Sequence, residues 1–143
     1  MKVNQLSVFL ENKSGRLADV TRVLAEAGIN IRALSIADTI DYGLLRLIVN
    51  DPLAAKKALT EDGFTVALTE VLAIEVPDKP GGLASIIDII SKAGLNIEYM
   101  YAFVGSSGEN AIVIFRIEET DDAIAALQAK GVRILTGEEL HSL

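Results

Sequence analysis

Asn12-Lys13-Ser14-Gly15-Arg16-Leu17 and Asp78-Lys79-Pro80-Gly81-Gly82-Leu83 are two copies of one motif. Shifted by 78 − 12 = 66 positions, residues 12–31 and 78–97 run in step. Eight of these twenty pairs are identical: Lys13/Lys79, Gly15/Gly81, Leu17/Leu83, Ala18/Ala84, Ala27/Ala93, Gly28/Gly94, Asn30/Asn96 and Ile31/Ile97. Each copy reads as a strand, a polar glycine turn, and a helix closed by Gly-(Ile/Leu)-Asn-Ile. A glycine turn feeding a helix start leaves backbone N–H groups unpaired, a natural seat for a carboxylate or phosphate.

Working outward, residues 3–10 alternate Leu6, Val8 and Leu10 with Ser7 and Phe9, the pattern of a strand. Ser14 is the expected N-cap of the first helix. Leu17, Val20, Leu24 and Ala27 recur at helical spacing until Gly28 stops the helix. Asn30 to about Thr39 is a second strand, and Asp41-Tyr42-Gly43 turns into a third over Leu44–Val49. Asp51-Pro52 caps a second helix with Ala55, Ala58 and Leu59 on its buried stripe. Gly63 closes it, and Phe64–Leu68 is a fourth strand.

The second half repeats this order. Val71–Val76 is a strand, and Pro80 begins a helix carrying Leu83, Ile86, Ile87, Ile90 and Ala93 inward. Asn96–Val104 and Ala111–Ile117 form a hairpin around the loop Gly105-Ser106-Ser107-Gly108, two residues longer than its counterpart. Thr120 is the expected cap of the next helix, which Gly131 ends, and Val132–Leu135 is the last strand. Thr136 and Glu139 form a capping box for one final helical turn. The order βαββαβ, twice, predicts an α+β, ferredoxin-like fold: antiparallel sheets with both helices of each copy on one face. Only Thr69-Glu70 separates the two copies, so the expected domains are 1–69 and 70–143.

Half of the 143 residues are hydrophobic, and no apolar run approaches the ~20 residues that span a bilayer. With no cysteine, disulfides and thiolate chemistry are excluded. The economical reading is a cytoplasmic protein with no membrane partner and no signal peptide. The net charge of −7 is uneven: residues 1–70 hold eight Lys/Arg and nine Asp/Glu, residues 71–143 five and eleven. Neither half has the basic footprint that nucleic-acid binding requires. The single histidine, His141, lies near the C-terminus. It supports neither a metal site nor a Ser/His/Asp triad, and no cofactor is expected.

The turns and the Gly-x-Asn-Ile after each helix resemble the ACT domain, a small-molecule regulatory module. Its pattern is a strand, a polar residue, x-Pro-Gly-x-Leu, a helix, then Gly-(Val/Ile)-Asn-Ile. The second copy keeps Pro80-Gly81, while the first departs with Ser14-Gly15. The resemblance implies a sensor in which an amino acid sits at an interface between two ACT units. By that resemblance Asn12, Ser14, Gly15, Arg16, Leu17, Asn30 and Ile31 form one half-site. Asp78, Lys79, Pro80, Gly81, Gly82, Leu83, Asn96 and Ile97 form the other. The family's polar contact from the first strand falls on Phe9 and Glu75, altered in both copies.

The chemistry of a zwitterion fits these residues. The N–H groups of Gly15–Leu17 or Gly81–Leu83 suit its carboxylate, and the Asp78 carboxylate suits its ammonium. Asn12, Asn30 and Asn96 offer either donor or acceptor. The Asn12/Asp78 difference makes the two sites unequal, the second favouring the ammonium end. The plainer readings stand beside these: glycines serving turn geometry, asparagines serving turns, Leu17 and Leu83 serving the core, and Arg16 solvated.

Tyr99, Tyr101 and Phe103 share one strand face, opposite Met100 and Ala102, whose counterparts are Leu34 and Ile36. With the latter set assigned to the helices, the aromatic row lies on the open face. It then packs on a second chain, as in a homodimer, or covers the sheet within one chain. The leading function is a non-catalytic amino-acid sensor. The second is a regulatory subunit that acts by protein contact on a metabolic, biosynthetic enzyme. The third is an enzyme of the same fold such as an acylphosphatase. Only Arg16 with Asn30 or Asn12 approaches that chemistry, and the second copy has Gly82 where the arginine would stand.

Overall fold

The structure is a computed structural model that describes residues 1–11, 13–38, 41–107 and 109–143. Its elements are β1 (Val3–Glu11), α1 (Arg16–Glu26), β2 (Ile31–Asp38), β3 (Tyr42–Val49), α2 (Pro52–Glu61), β4 (Thr65–Pro77), α3 (Gly82–Lys92), β5 (Tyr99–Ser107), β6 (Asn110–Arg116), α4 (Thr120–Ala129), β7 (Ile134–Leu135) and α5 (Gly137–His141). The chain divides into two compact units: Asn4–Thr69, and Met1–Val3 with Glu70–Leu143. Strand order is β2-β3-β1-β4 in the first and β5-β6-β4-β7 in the second. Both are α+β units of the ferredoxin-like type, with antiparallel neighbours wherever the register is defined.

In the first unit Leu6, Val8 and Leu10 face Val20, Val23 and Leu24 of α1 and Ala55 and Leu59 of α2. The stripe of α1 follows i, i+3, i+4 spacing, and each such side chain contributes about 1.5–3 kcal/mol when fully buried. The second unit repeats the arrangement with Leu72, Ile74 and Val76 against Ile86, Ile90, Ala123 and Leu127.

Several boundaries differ from the sequence expectation. Thr69-Glu70 does not break the chain into two strands, because β4 is continuous over thirteen residues. Its β-branched residues favour extension throughout, and neither Gly nor Pro interrupts it before Pro77. Strand β5 runs into the expected loop, since Ser106 and Ser107 pair with Ala111 and Asn110; Gly108 lies outside the described residues. Asp51 caps α2 as expected, its carboxylate accepting the Ala54 N–H at 3.1 Å. The Thr136/Glu139 capping box is present. Thr120 is the buried first residue of α4 rather than its cap, a position taken by Glu119.

Register settles which residues share a face. Leu34 lies opposite Leu47, Ile36 opposite Leu45, and Met100 opposite Phe115. All three therefore sit on the helix side, yet they are 45 %, 47 % and 41 % exposed. They belong to β2 and β5, which end each unit's strand order, and the helices pack on the inner strands. The aromatic row is the reverse case. Tyr99 and Tyr101 are half-buried and Phe103 is only 6 % exposed. Tyr101 lies opposite Ile114, and Ile112, Ile114 and Ala73 on the same face are fully buried. The face expected to be open is largely covered within the single chain at Phe103, Ile112, Ile114 and Ala73, and only partly at Tyr99 and Tyr101.

Candidate functional site

The two glycine turns fold alike. Lys13 N–H donates to the Glu11 carbonyl (2.9 Å) and Arg16 N–H to the Lys13 carbonyl (3.4 Å). Lys79 N–H to Pro77 (2.9 Å) and Gly82 N–H to Lys79 (3.0 Å) reproduce the pattern. Gly15 (φ 90°) and Gly81 (φ 85°) stand at the N-cap positions in the left-handed region, where a Cβ is costly. Neither helix has a side-chain cap, so Ser14 does not serve as one. The left-handed glycine sets the helix entry instead, and the turn's own carbonyl satisfies the first helical N–H. Asp19 N–H then bonds Gly15 and Ser85 N–H bonds Gly81, at 2.9 and 3.0 Å. This leaves the N–H pairs of Leu17 and Ala18, and of Leu83 and Ala84, without a backbone acceptor among the described residues. The expected donors thus move one residue along, because Arg16 and Gly82 are spoken for.

The other expected residues fall as follows. Asn12 lies outside the described residues. Lys13 pairs with Glu11 at 3.0 Å, which holds the Glu11 carboxyl below its usual range. Arg16 bonds Asp19 at 3.4 Å and lies over the Phe64 ring, so it is engaged rather than simply solvated. Leu17 and Leu83 are partly exposed, at 41 % and 36 %. Asp78, Lys79 and Pro80 are exposed at the second turn and Asn96 is exposed beyond the C-terminal end of α3, while Ile31 and Ile97 are half-buried. Asn30 is locked to Asn50: its N–H donates to Asn50 Oδ1 (3.0 Å) and its carbonyl accepts the Asn50 N–H (3.3 Å). Sequence reading missed Asn50, which stands twenty residues from its partner. Phe9 is exposed, and Glu75 bonds Arg133 at 3.2 Å.

Beside each turn lies a concavity. One of about 250 Å³ is lined by Glu11, Lys13, Arg16, Leu17, Ile36 and neighbours in the first unit. Another of about 330 Å³ in the second unit is bounded by the end of β4, the first turns of α3 and the segment after α4. A groove of about 400 Å³ runs between the far ends of α3 and α4, away from both turns. Among the described residues no cluster of His, Asp and Glu could hold a metal ion. No helix of the described residues is long and apolar enough to cross a membrane.

Solved structures and a family model place this geometry. A protein from Bacteroides thetaiotaomicron is 45% identical and covers 100% of this chain and 98% of its own, with a TM-score of 0.93. The regulatory subunit of aspartate kinase from Thermus thermophilus is 21% identical over 88% of this chain and 91% of its own, with a TM-score of 0.63. The corresponding subunit from Thermus flavus is also 21% identical, covering 88% and 90% with a TM-score of 0.59. At that identity the two kinase subunits speak to fold alone. No curated protein matches the chain. The family model described as an ACT domain pair matches residues 1–143, and the chain belongs to that family.

Proposed function

We propose that this ACT domain pair is a non-catalytic, cytoplasmic sensor that binds an amino acid and regulates an enzyme. The ACT units are 1–69 and 70–143. The observation that carries the reading is the repeated turn: a left-handed glycine followed by two adjacent helix-start N–H groups with no backbone acceptor among the described residues. Such a pair favours a carboxylate, and the helix dipole adds to the attraction. In the second unit Asp78 is exposed beside residues 79–83 and offers an acceptor for the ammonium group, while Asn96 and Ile97 follow the other end of α3. In the first unit residues 12–17 with Asn30 and Ile31 offer no carboxylate at the Asp78 position, where Asn12 stands. The second turn is therefore the better ammonium site. The regulatory subunit of aspartate kinase from Thermus thermophilus shares the fold, and control of an enzyme is proposed by that analogy. Ligand binding that stabilises one association state over another is all the mechanism required.

A homodimer through the aromatic row would use Tyr99 and Tyr101, which are half-buried, rather than Phe103, which the single chain buries. The apolar helix-side residues of β2 and β5 are more exposed than that row.

A thermal-shift screen against the twenty amino acids tests the sensor reading, repeated with Asp78→Ala and Asn96→Ala. Ligand at about 100 times its Kd adds about 2.7 kcal/mol, a rise of several degrees. A rise with one amino acid or one class, reduced in either variant, is the expected result. No rise with any of the twenty would refute amino-acid sensing and favour regulation by protein contact.

A further inference from the structure

The repeat places equivalent concavities in both units, and the two have diverged. In the first unit the walls include Phe9, Arg16, Tyr42 and Phe64, around a space of about 210 Å³. Their counterparts follow from the motif alignment, from the pairs Glu11↔Tyr42 and Pro77↔Asn110, and from the left-handed Gly63 and Gly131. They are Glu75, Gly82, Asn110 and Val132. Arg16 fills part of the first space by lying over Phe64, at 4.5 Å from the ring centre. Gly82 has no side chain to do so, and Val132 is smaller than phenylalanine. The second space is about 330 Å³, within the range of about 300–1,000 Å³ usual for small-molecule sites. The first falls below it.

The charges at the second space are unmatched in a telling way. Arg133 pairs with Glu75 at 3.2 Å and also with Glu139, so one guanidinium faces two carboxylates and the triad is net −1. Lys130, on the same wall, has no ion-pair partner among the described residues. Between them Ile86, Ile89 and Val132 supply an apolar floor. A surplus negative charge, a lone ammonium and an aliphatic wall complement a zwitterion with an aliphatic side chain.

We infer that the pocket of the second unit binds an aliphatic amino acid, its carboxylate at Lys130, its ammonium at Glu75 and its side chain against Ile86, Ile89 and Val132. The inference rests on the amino-acid reading above but not on the turn residues, since neither Asp78 nor Asn96 lines this pocket. The first unit's counterpart is narrowed by its own arginine and phenylalanine, so this pocket is expected to bind only in the second unit.

Isothermal titration of the full chain with valine, leucine and isoleucine, alongside the other seventeen amino acids, decides it. Lys130→Gln removes one charge at the surface, Val132→Phe restores the bulk of the first unit, Lys92→Gln, outside this pocket, serves as comparator, and Asn96→Ala probes the turn-based site. Binding of an aliphatic amino acid, weakened about tenfold or more by Lys130→Gln and Val132→Phe and unchanged by Lys92→Gln, is the expected result. Binding lost in Asn96→Ala but intact in Lys130→Gln and Val132→Phe would overturn the pocket and leave the turn-based sensor standing. Binding of other amino acids but of none of these three would do the same. Silence from all twenty would overturn the pocket and the sensor together.

Discussion

The Arg16 guanidinium carbon lies 4.5 Å from the centre of the Phe64 ring. At the matching positions the second unit has Gly82 and Val132, so the contact cannot form there. One turn is braced by a cation over an aromatic face, and the other by the close approach of backbone to a glycine. The repeat thus keeps one backbone design with two different side-chain solutions.

The two partners of that contact differ in what they carry. Phe64 is 4 % exposed and belongs to the core of its unit. Phe64→Ala is expected to cost about 3–5 kcal/mol, as other buried aromatic truncations do. Arg16→Ala is expected to cost only about 0.5–1 kcal/mol, the range for a partly exposed cation–π contact. Urea denaturation of the two variants checks this. Equal losses would show that the arginine, not the ring, organises the turn.

Glycine is demanded for two different reasons at adjacent positions. A Cβ on Gly82 would lie 1.9 Å from the Pro77 carbonyl oxygen, whereas a Cβ on Gly81 meets nothing within 4 Å. Gly81→Ala pays only for left-handed backbone, about 1–2 kcal/mol. Gly82→Ala must push strand and helix apart, so its loss of melting temperature should exceed that of Gly81→Ala. The opposite ranking would contradict the packing of α3 against the end of β4.

Asn50 is a structural residue in the service of Asn30. Asn50→Ala removes the acceptor of the Asn30 N–H and is expected to cost about 0.5–1.5 kcal/mol. Urea denaturation reads the loss. No change would mean that water replaces the bond without penalty.

Acid should weaken the C-terminal region in a defined window. The Glu139 carboxyl is held below its usual range, first by the Arg133 hydrogen bond and then by the Thr136 backbone. A carboxyl with a depressed folded-state pKa stabilises above its unfolded value of about 4.3, and that stability is lost as pH falls through the folded value. Melting temperature should therefore fall as pH drops below about 4.5, and less steeply in Glu139→Gln. Parallel curves for variant and parent would count against the bond. Lys2 is the mirror case: its hydrogen bond to Asp121, then that to Glu70, raises its pKa. Its contribution is present below its unfolded value of about 10.4 and is lost as pH rises through the higher folded one.

Local order was legible in the chain itself. The glycines at 15, 28, 63, 81, 94 and 131 all take positive φ, and this backbone requirement shows in the residue type alone. Strand alternation, helical stripes and the Thr136/Glu139 box depend on neighbours within a few residues, so the order βαββαβ could be read twice. Tertiary structure decided what spacing cannot encode. Register put Leu34, Ile36 and Met100 on the helix side, but edge position left them exposed. Packing largely covered the face that carries the aromatic row. The pocket gathers Pro77, Ile86 and Val132 from three separate elements, and Asn50 reaches Asn30 across twenty residues. Backbone preference is a property of adjacent residues; who touches whom depends on how the sheet pairs and the helices settle upon it.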